Sequence, residues 1–159
     1  MRPVRPMAAF VAMGALSLAW GTGGCSKKDP IQTLLAEIET AAEHRDAQGV
    51  VDHLAPEFVG LGQMDRSEAL IQLRRTFVAY EKVNLTLYDV RVERKPGASE
   101  ARVRFQVDFD GRPLKIGALS GFLPPSAVYR FDLEVRAGDH GWLITRATWE
   151  DMTDQVGER

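Results

Sequence analysis

A single cysteine, Cys25, stands among the 159 residues, so no disulfide can form within the chain. Stability must come from an ordinary core, and a lone thiol calls for another explanation. Strong charge of either sign is missing too: 20 Lys and Arg against 22 Asp and Glu give a net charge of −2. That balance excludes the broad basic surface that phosphate binding needs, so no nucleic-acid partner is expected. The longest apolar run, Met7–Trp20, has 14 residues, short of the ~20 that cross a bilayer as a helix. The three histidines, His44, His53 and His140, show no metal-ligand spacing and have no second cysteine to help them. No metal and no cofactor is expected. There is no internal repeat and no low-complexity tract. What remains, 45% hydrophobic and 26% charged residues, fits one ordinary domain plus a targeting segment.

The first two dozen residues read as that targeting segment. Arg2 and Arg5 precede the apolar run without any acid, and the small residues Gly21-Thr22-Gly23-Gly24 lead into Cys25. Length and flanks suit a secretory signal. Small residues before a single cysteine resemble a bacterial lipobox. Gly23 and Gly24 match that pattern, while Thr22 stands where an aliphatic residue is usual. The resemblance implies cleavage before Cys25 and a diacylated thiol, and two acyl chains hold a protein stably on a membrane. It places the domain on the periplasmic side of the cell envelope. Ser26 in place of an aspartate favours the outer membrane over the inner. An ordinary cleaved signal, with its site near Ala15-Leu16-Ser17 or Ala19, and an uncleaved anchor are the alternatives. Loss of residues 1–24 removes Arg2 and Arg5 and no acid, which takes the charge from −2 to −4.

After a short polar tether at 25–29, the apolar period is helical. Asp29-Pro30 is a start signal, and Ile31, Leu34, Leu35, Ile38, Ala41 and Ala42 form one stripe of a helix over 30–45. Asp46 predicts the cap of a second, short helix that Gly49 weakens and Pro56 closes, followed by an extended piece at 57–61. Asp65 and Glu68 have the spacing of a capping box, opening a third helix to about Tyr80 with Ala69, Leu70, Leu73, Phe77 and Tyr80 on one face.

From Val83 the period falls to two. Val83, Leu85 and Leu87 are odd, whereas Val90 and Val92 are even, which predicts a bulge at Tyr88-Asp89. Ala101, Val103, Phe105, Val107 and Phe109 alternate with charged residues, as do Tyr129, Phe131, Leu133 and Val135. Asp110-Gly111 is expected to turn the chain, a hairpin loop to fall at 137–141, and Trp142–Glu150 to form the last strand. Residues 151–159 read as a frayed polar tail. With the two central strands paired at residue numbers summing to 238, Arg104 faces Glu134 and Asp108 faces Arg130. That makes a complementary ladder on a solvated face.

Helices first and strands afterwards predict an α+β fold: a curved antiparallel sheet of about four main strands, with three N-terminal helices packed in its concave face. The order, the stretch Asp46-Ala-Gln-Gly-Val-Val-Asp-His-Leu-Ala-Pro-Glu-Phe58 and the closing Gly141-Trp142-Leu-Ile-Thr-Arg-Ala-Thr-Trp149-Glu resemble the nuclear transport factor 2-like superfamily, also called SnoaL-like or cystatin-like, over residues 30–150. The resemblance implies a cone, often with an apolar pocket. The superfamily holds isomerases, cyclases, dehydratases and domains without chemistry, so the fold does not decide activity.

No catalytic constellation stands out, because the strand acids Asp108, Asp132 and Glu134 share the polar phase. The leading expectation is therefore a non-catalytic, lipid-anchored binding or accessory domain that holds a small hydrophobic ligand or an envelope protein. Its contacts are expected from Leu114, Ile116, Leu119, Phe122 and Leu123, in a long and unusually apolar connection, and from Trp142. Trp142 and Trp149 are an odd number apart, so on an unbulged strand they face opposite sides. The alternative is a small isomerase or hydratase with its acid–base group among Asp52, His53 and Tyr129. A polar outer sheet face predicts a monomer or a weak dimer.

Overall fold

The computed structural model describes residues 28–114 and 123–156. Cys25, Ile116, Leu119 and Phe122, on which the expected lipid anchor and part of the expected contact surface rest, lie outside the described residues.

Three helices come first. Asp29 accepts a hydrogen bond from the Ile31 amide at 2.9 Å, with proline at the first helical position, and starts α1 (Pro30–Glu43). Ile31, Leu34, Leu35 and Ala42 are its buried face, part of the stripe read from the pattern. Each such large side chain contributes ~1.5–3 kcal/mol on burial. Asp46 caps α2 (Ala47–Asp52) by accepting from the Gly49 amide at 2.9 Å. A Cβ at Gly49 would stand 2.5 Å from the Asp46 carboxylate, so this glycine makes room for the cap rather than only weakening the helix. The capping box forms as expected: Asp65 accepts from the Glu68 amide, Glu68 accepts from the Asp65 amide, and α3 runs Arg66–Val78.

Between α2 and α3 lies β1 (Leu54–Val59), which starts earlier than the pattern suggested. Pro56 sits inside it rather than ending a helix. Proline is tolerated because β1 is an edge strand, where a missing donor faces no neighbour. The remaining strands are β2 (Tyr80–Glu93), β3 (Glu100–Pro113), β4 (Ser126–Gly138) and β5 (Gly141–Asp151). The sheet order is β1-β5-β4-β3-β2, with β1 parallel to β5 and every other pair antiparallel. The architecture is α+β, a curved five-stranded sheet whose four long strands are those of the sequence reading, with the helices against one face. The core joins Ile31, Leu34, Leu35 and Val51 from the helices to Val103, Phe105, Leu133, Val135 and Ile144 of the sheet.

Register decides which side chains share a face. The pairing of β2 with β3 shifts by one residue between Tyr88 and Arg91, and Asp89 takes φ of 52°. The bulge read from the change of phase is therefore present, and Val92 lies opposite Val103 on the core side. Gly111 does not turn the chain; it lies within β3, opposite Val83. The β3–β4 numbers sum to 236, not 238: Arg102 faces Glu134 and Arg104 faces Asp132. A slip of two keeps every side chain on its face, so the charged side survives while its partners change. Arg102 and Asp132 now form a forked ion pair across the diagonal.

A second bulge was not legible. Val135 pairs with Ile144 but Glu134 pairs with Arg146, which leaves Thr145 unpaired. One extra residue in β5 brings Trp142 and Trp149 to the same face, opposite Ala137 and Phe131 of β4. The expected frayed tail is also not free at its start. Met152 is buried, its amide donates to Val128 at 2.7 Å, and Thr153–Val156 form a helical turn, α4.

Candidate functional site

The strand ends nearest the 114–125 connection carry the chemistry that the concave face offers. Tyr129 of β4 lies opposite Val107 of β3 on one side and Asp151 of β5 on the other. Cross-strand partners project from the same face, so the phenol and the carboxylate are neighbours there. By the register, Asp151 is the only carboxylate on the concave side of the four long strands. Around the pair stands an aromatic wall. Phe105 and Phe131 stack with centroids 5.3 Å apart, Trp149 lies 6.0 Å from Phe131, and Tyr129 meets Phe131 edge-on at 6.4 Å. Tyr129, Phe131 and Trp149 are only half-buried, so the wall is open to a ligand.

Tyr80 closes one side. It is 3% exposed, packs edge-on against Phe109 at 5.1 Å, and donates its hydroxyl to the Pro124 carbonyl at 3.0 Å. The Leu114 amide donates to the Ala79 carbonyl at 2.9 Å, so both described ends of the 114–125 connection are fastened beside Tyr80. Leu114 and Leu123, two of the expected contact residues, are half-buried at this rim.

The environment separates the protonation states of the pair. Burial, then the nearby Asp151 charge, raises the Tyr129 phenol above its ordinary value. Burial and the neighbouring Tyr129 do the same to Tyr80. Asp151 is lowered, because the Thr153 hydroxyl and amide both donate to its carboxylate, at 2.5 and 2.9 Å. At neutral pH the site holds a proton donor beside a charged acceptor.

The other expected acid–base residues are elsewhere. Asp52 is exposed at the end of α2, accepting from Gln48 at 2.8 Å and lying 3.5 Å from Arg66. His53 sits 3.8 Å from Glu37 of α1. No hydrogen bond, ion pair or ring contact among the described residues joins either of them to Tyr129. Trp142 lies at the opposite end of β5 from Asp151, with the Arg94 guanidinium 5.5 Å above its ring. It is thus no part of this site. An open groove along the outer face of α1, lined by Gln32, Ala36, Thr40 and His44, includes none of Tyr80, Tyr129 and Asp151. Among the described residues no group of three or more His, Cys, Asp or Glu side chains is placed to hold a metal.

No protein-family model matches the chain, and no curated protein matches it in sequence. Solved structures do. A candidate scytalone dehydratase from Novosphingobium aromaticivorans aligns over 77% of this chain and 81% of its own, at 12% identity and a TM-score of 0.65. A candidate dehydratase of the nuclear transport factor 2-like family from Streptomyces avermitilis aligns over 77% and 93%, at 14% identity and 0.62. A hexachlorocyclohexane dehydrochlorinase from Novosphingobium barchaimii aligns over 77% and 84%, at 12% identity and 0.60. The fold is nuclear transport factor 2-like. These neighbours correct the leading functional expectation. Several of the folds that resemble this chain over most of its length bear the names of elimination enzymes, which favours the acid–base alternative over the non-catalytic binding domain.

Proposed function

We propose that the chain is a small acid–base enzyme of the lyase type, acting on an apolar, ring-bearing molecule at the aromatic end of the concave face. The observation that carries this is the Tyr129–Asp151 pair, one donor and one acceptor side by side on a face that is otherwise apolar. The names of the fold neighbours supply the reaction class, elimination of water or hydrogen chloride.

In such a step the Asp151 carboxylate takes a proton from carbon. The freed electron pair forms the double bond, and the leaving group departs on the neighbouring carbon. A departing hydroxide takes the Tyr129 proton and leaves as water. A departing chloride needs no proton. Because Asp151 is held below the ordinary carboxylate range it is a weak base, which restricts substrates to acidified C–H bonds such as those beside a carbonyl. Phe105, Phe131 and Trp149 offer flat surfaces for a ring.

The test is a panel of cyclic β-hydroxy ketones and chlorinated cyclohexanes, followed by alkene absorbance and chloride release. Tyr129→Phe is expected to lower kcat for water elimination by ~10²–10⁴-fold while leaving chloride elimination less affected. Full activity of Tyr129→Phe and Asp151→Asn on every substrate turned over, or no turnover at all, would overturn the proposal.

The location is part of the same reading. The signal-like segment and Cys25 support a lipid-anchored enzyme of the cell envelope, with the outer membrane preferred. The convex face, where Arg102, Arg104, Arg130 and Arg146 pair with Asp132, Glu93, Glu150 and Glu134, supports a monomer or weak dimer.

A further inference from the structure

The end of α1 is built for a glycine and holds an arginine. The Arg45 amide donates to Ala42 at 2.9 Å and the Asp46 amide to Ala41 at 2.8 Å, with His44 as the C-cap. This pair of bonds needs a left-handed residue at position 45, and Arg45 has φ of 58°. A Cβ is crowded by the following carbonyl in that conformation, so a side chain here weakens the helix end where glycine would not. The Arg45 side chain therefore needs a reason. Its neighbour gives none, because the Asp46 carboxylate accepts from the Gly49 amide at 2.9 Å. Holding α1 to the sheet gives none either, because Glu43 already accepts from the Leu85 amide of β2 at 3.0 Å. The guanidinium instead crosses to Tyr80 and donates to its carbonyl at 2.8 Å. The cross-strand partner cannot supply that bond. Tyr80 lies opposite Pro113, which has no N–H, and the β2 register shifts beside it, between Tyr80 and Lys82.

We infer that Arg45 is a positioning residue for the candidate site: it fixes the main chain at Tyr80, and with it the rim of the aromatic wall, and weakens the end of α1 in doing so. The inference deepens the lyase reading above and rests on it for the role of the rim. Tyr80 gathers that rim. Its hydroxyl donates to Pro124, its ring packs on Phe109, and the carbonyl before it, that of Ala79, accepts from Leu114. Because peptide groups are planar, a donor on the Tyr80 carbonyl sets the last backbone dihedral of Tyr80 and so the direction of its ring. Without that donor the strand end and both fastenings of the 114–125 connection loosen together. No hydrogen bond or ion pair among the described residues joins Arg45 to Tyr129 or Asp151. Its effect therefore falls on how a ring is held, not on proton transfer, and shows in KM rather than in kcat.

Three variants separate the side chain from the backbone. Arg45→Gly removes the side chain and suits the left-handed backbone, Arg45→Ala removes it and keeps the Cβ, and Arg45→Lys keeps a charged donor. Amide hydrogen exchange of the full-length protein, resolved by residue, reads the rim without any substrate. In Arg45→Gly and Arg45→Ala the Leu114 and Gly111 amides, bonded to Ala79 and Pro125, are expected to exchange several-fold faster. The Ala137 amide, bonded to Ser99 at the far end of β4, is expected to keep the parent rate. Arg45→Gly is expected to melt above Arg45→Ala, since only the alanine keeps the strained Cβ. On any substrate of the panel that is turned over, Arg45→Gly is expected to raise KM several-fold at unchanged kcat, and Arg45→Lys to restore part of the loss. Parent exchange rates at Leu114 and Gly111 in Arg45→Gly, equal acceleration at Ala137, or an unchanged KM overturn the positioning role. An Arg45→Gly protein that melts no higher than Arg45→Ala overturns the strain argument. A panel with no turnover overturns the lyase reading, and the hold of Arg45 on the rim is then decided by the exchange rates alone.

Discussion

Adding one methyl group at Gly111 should distort the floor of the candidate site and destabilise the domain. Gly111 lies in β3 opposite Val83, and its amide donates to Pro125 at 2.8 Å. A Cβ built there would stand 2.6 and 2.8 Å from the Phe109 ring and 2.7 Å from the Tyr80 ring, closer than carbon atoms approach. Tyr80 has little room to yield, being 3% exposed and tied by its hydroxyl to Pro124. Overpacking by one methyl costs about 1–3 kcal/mol. With roughly 4 °C of Tm per kcal/mol for a domain of this length, Gly111→Ala is expected to melt roughly 4–12 °C lower. Thermal melts by far-ultraviolet circular dichroism measure the loss, and near-ultraviolet spectra report the shifted tyrosine. Phe109→Ala removes two of the three short contacts, so in that background Gly111→Ala should cost less, with a coupling of ~0.5 kcal/mol or more. A Gly111→Ala protein that melts with the parent, or a cost unchanged without the Phe109 ring, would refute the crowding argument.

Asp65→Ala removes the arm of the α3 capping box in which the Asp65 carboxylate accepts from the Glu68 amide, leaving the backbone amide of residue 65 to donate to Glu68, and should cost ~1 kcal/mol, seen as a lower urea midpoint at unchanged slope. A midpoint equal to that of the parent would mean the helix start is held by packing alone. Hydrogen bonds from Arg102, more than its charge, hold the Asp132 carboxyl below its ordinary value of 3.8. A carboxyl lowered in the folded state stabilises above that value, and its contribution is lost as pH falls through the lower, folded one. Asp132→Asn should therefore lose at most ~1 kcal/mol at neutral pH, because the pair is largely exposed, and should show a shallower fall of stability in acid. Identical acid limbs would contradict the assignment.

The helices were legible because each is written in local chemistry. Asp29-Pro30, Asp46 and the Asp65–Glu68 box are short signals whose partners lie within four residues, and the structure pairs each of them as the spacing requires. The central strands were legible for a related reason. The alternation of Ala101–Phe109 and Tyr129–Val135 states directly which side is buried. The exact partners were not, because a slip of two along a strand leaves every face unchanged and the charges on both strands still complementary. Arg104 finds an acid at either 132 or 134. β1 was misplaced because its partner, Ile144, lies 90 residues away and Pro56 carries a strong local signal that the edge position overrides.

The site was harder to read, and its two halves failed for different reasons. Tyr129 was among the candidates because it opens a clearly alternating strand. Asp151 was passed over because the last strand was ended at Glu150 and Asp151 was read as the start of a frayed tail; extending the strand would not have sufficed, because phase is inferred by counting, and counting holds only as far as the next bulge. The polar phase of β5 before Thr145 becomes the core phase after it, which moves Asp151 from the solvent side, where an acid needs no explanation, to the face that carries Trp149, Tyr129 and Phe131. The Tyr88-Asp89 bulge announced itself through a change of phase in five aliphatic residues. The Thr145 bulge falls among Ile144, Thr145, Arg146 and Ala147, where no such run exists to mark the switch. Two tryptophans separated by an odd number on a single strand were the remaining clue: both are large and apolar, and neither has an obvious reason to face water. Treating both as core would have required one extra residue between them, and would have given Asp151, exposed at the strand end, the phase of Trp149.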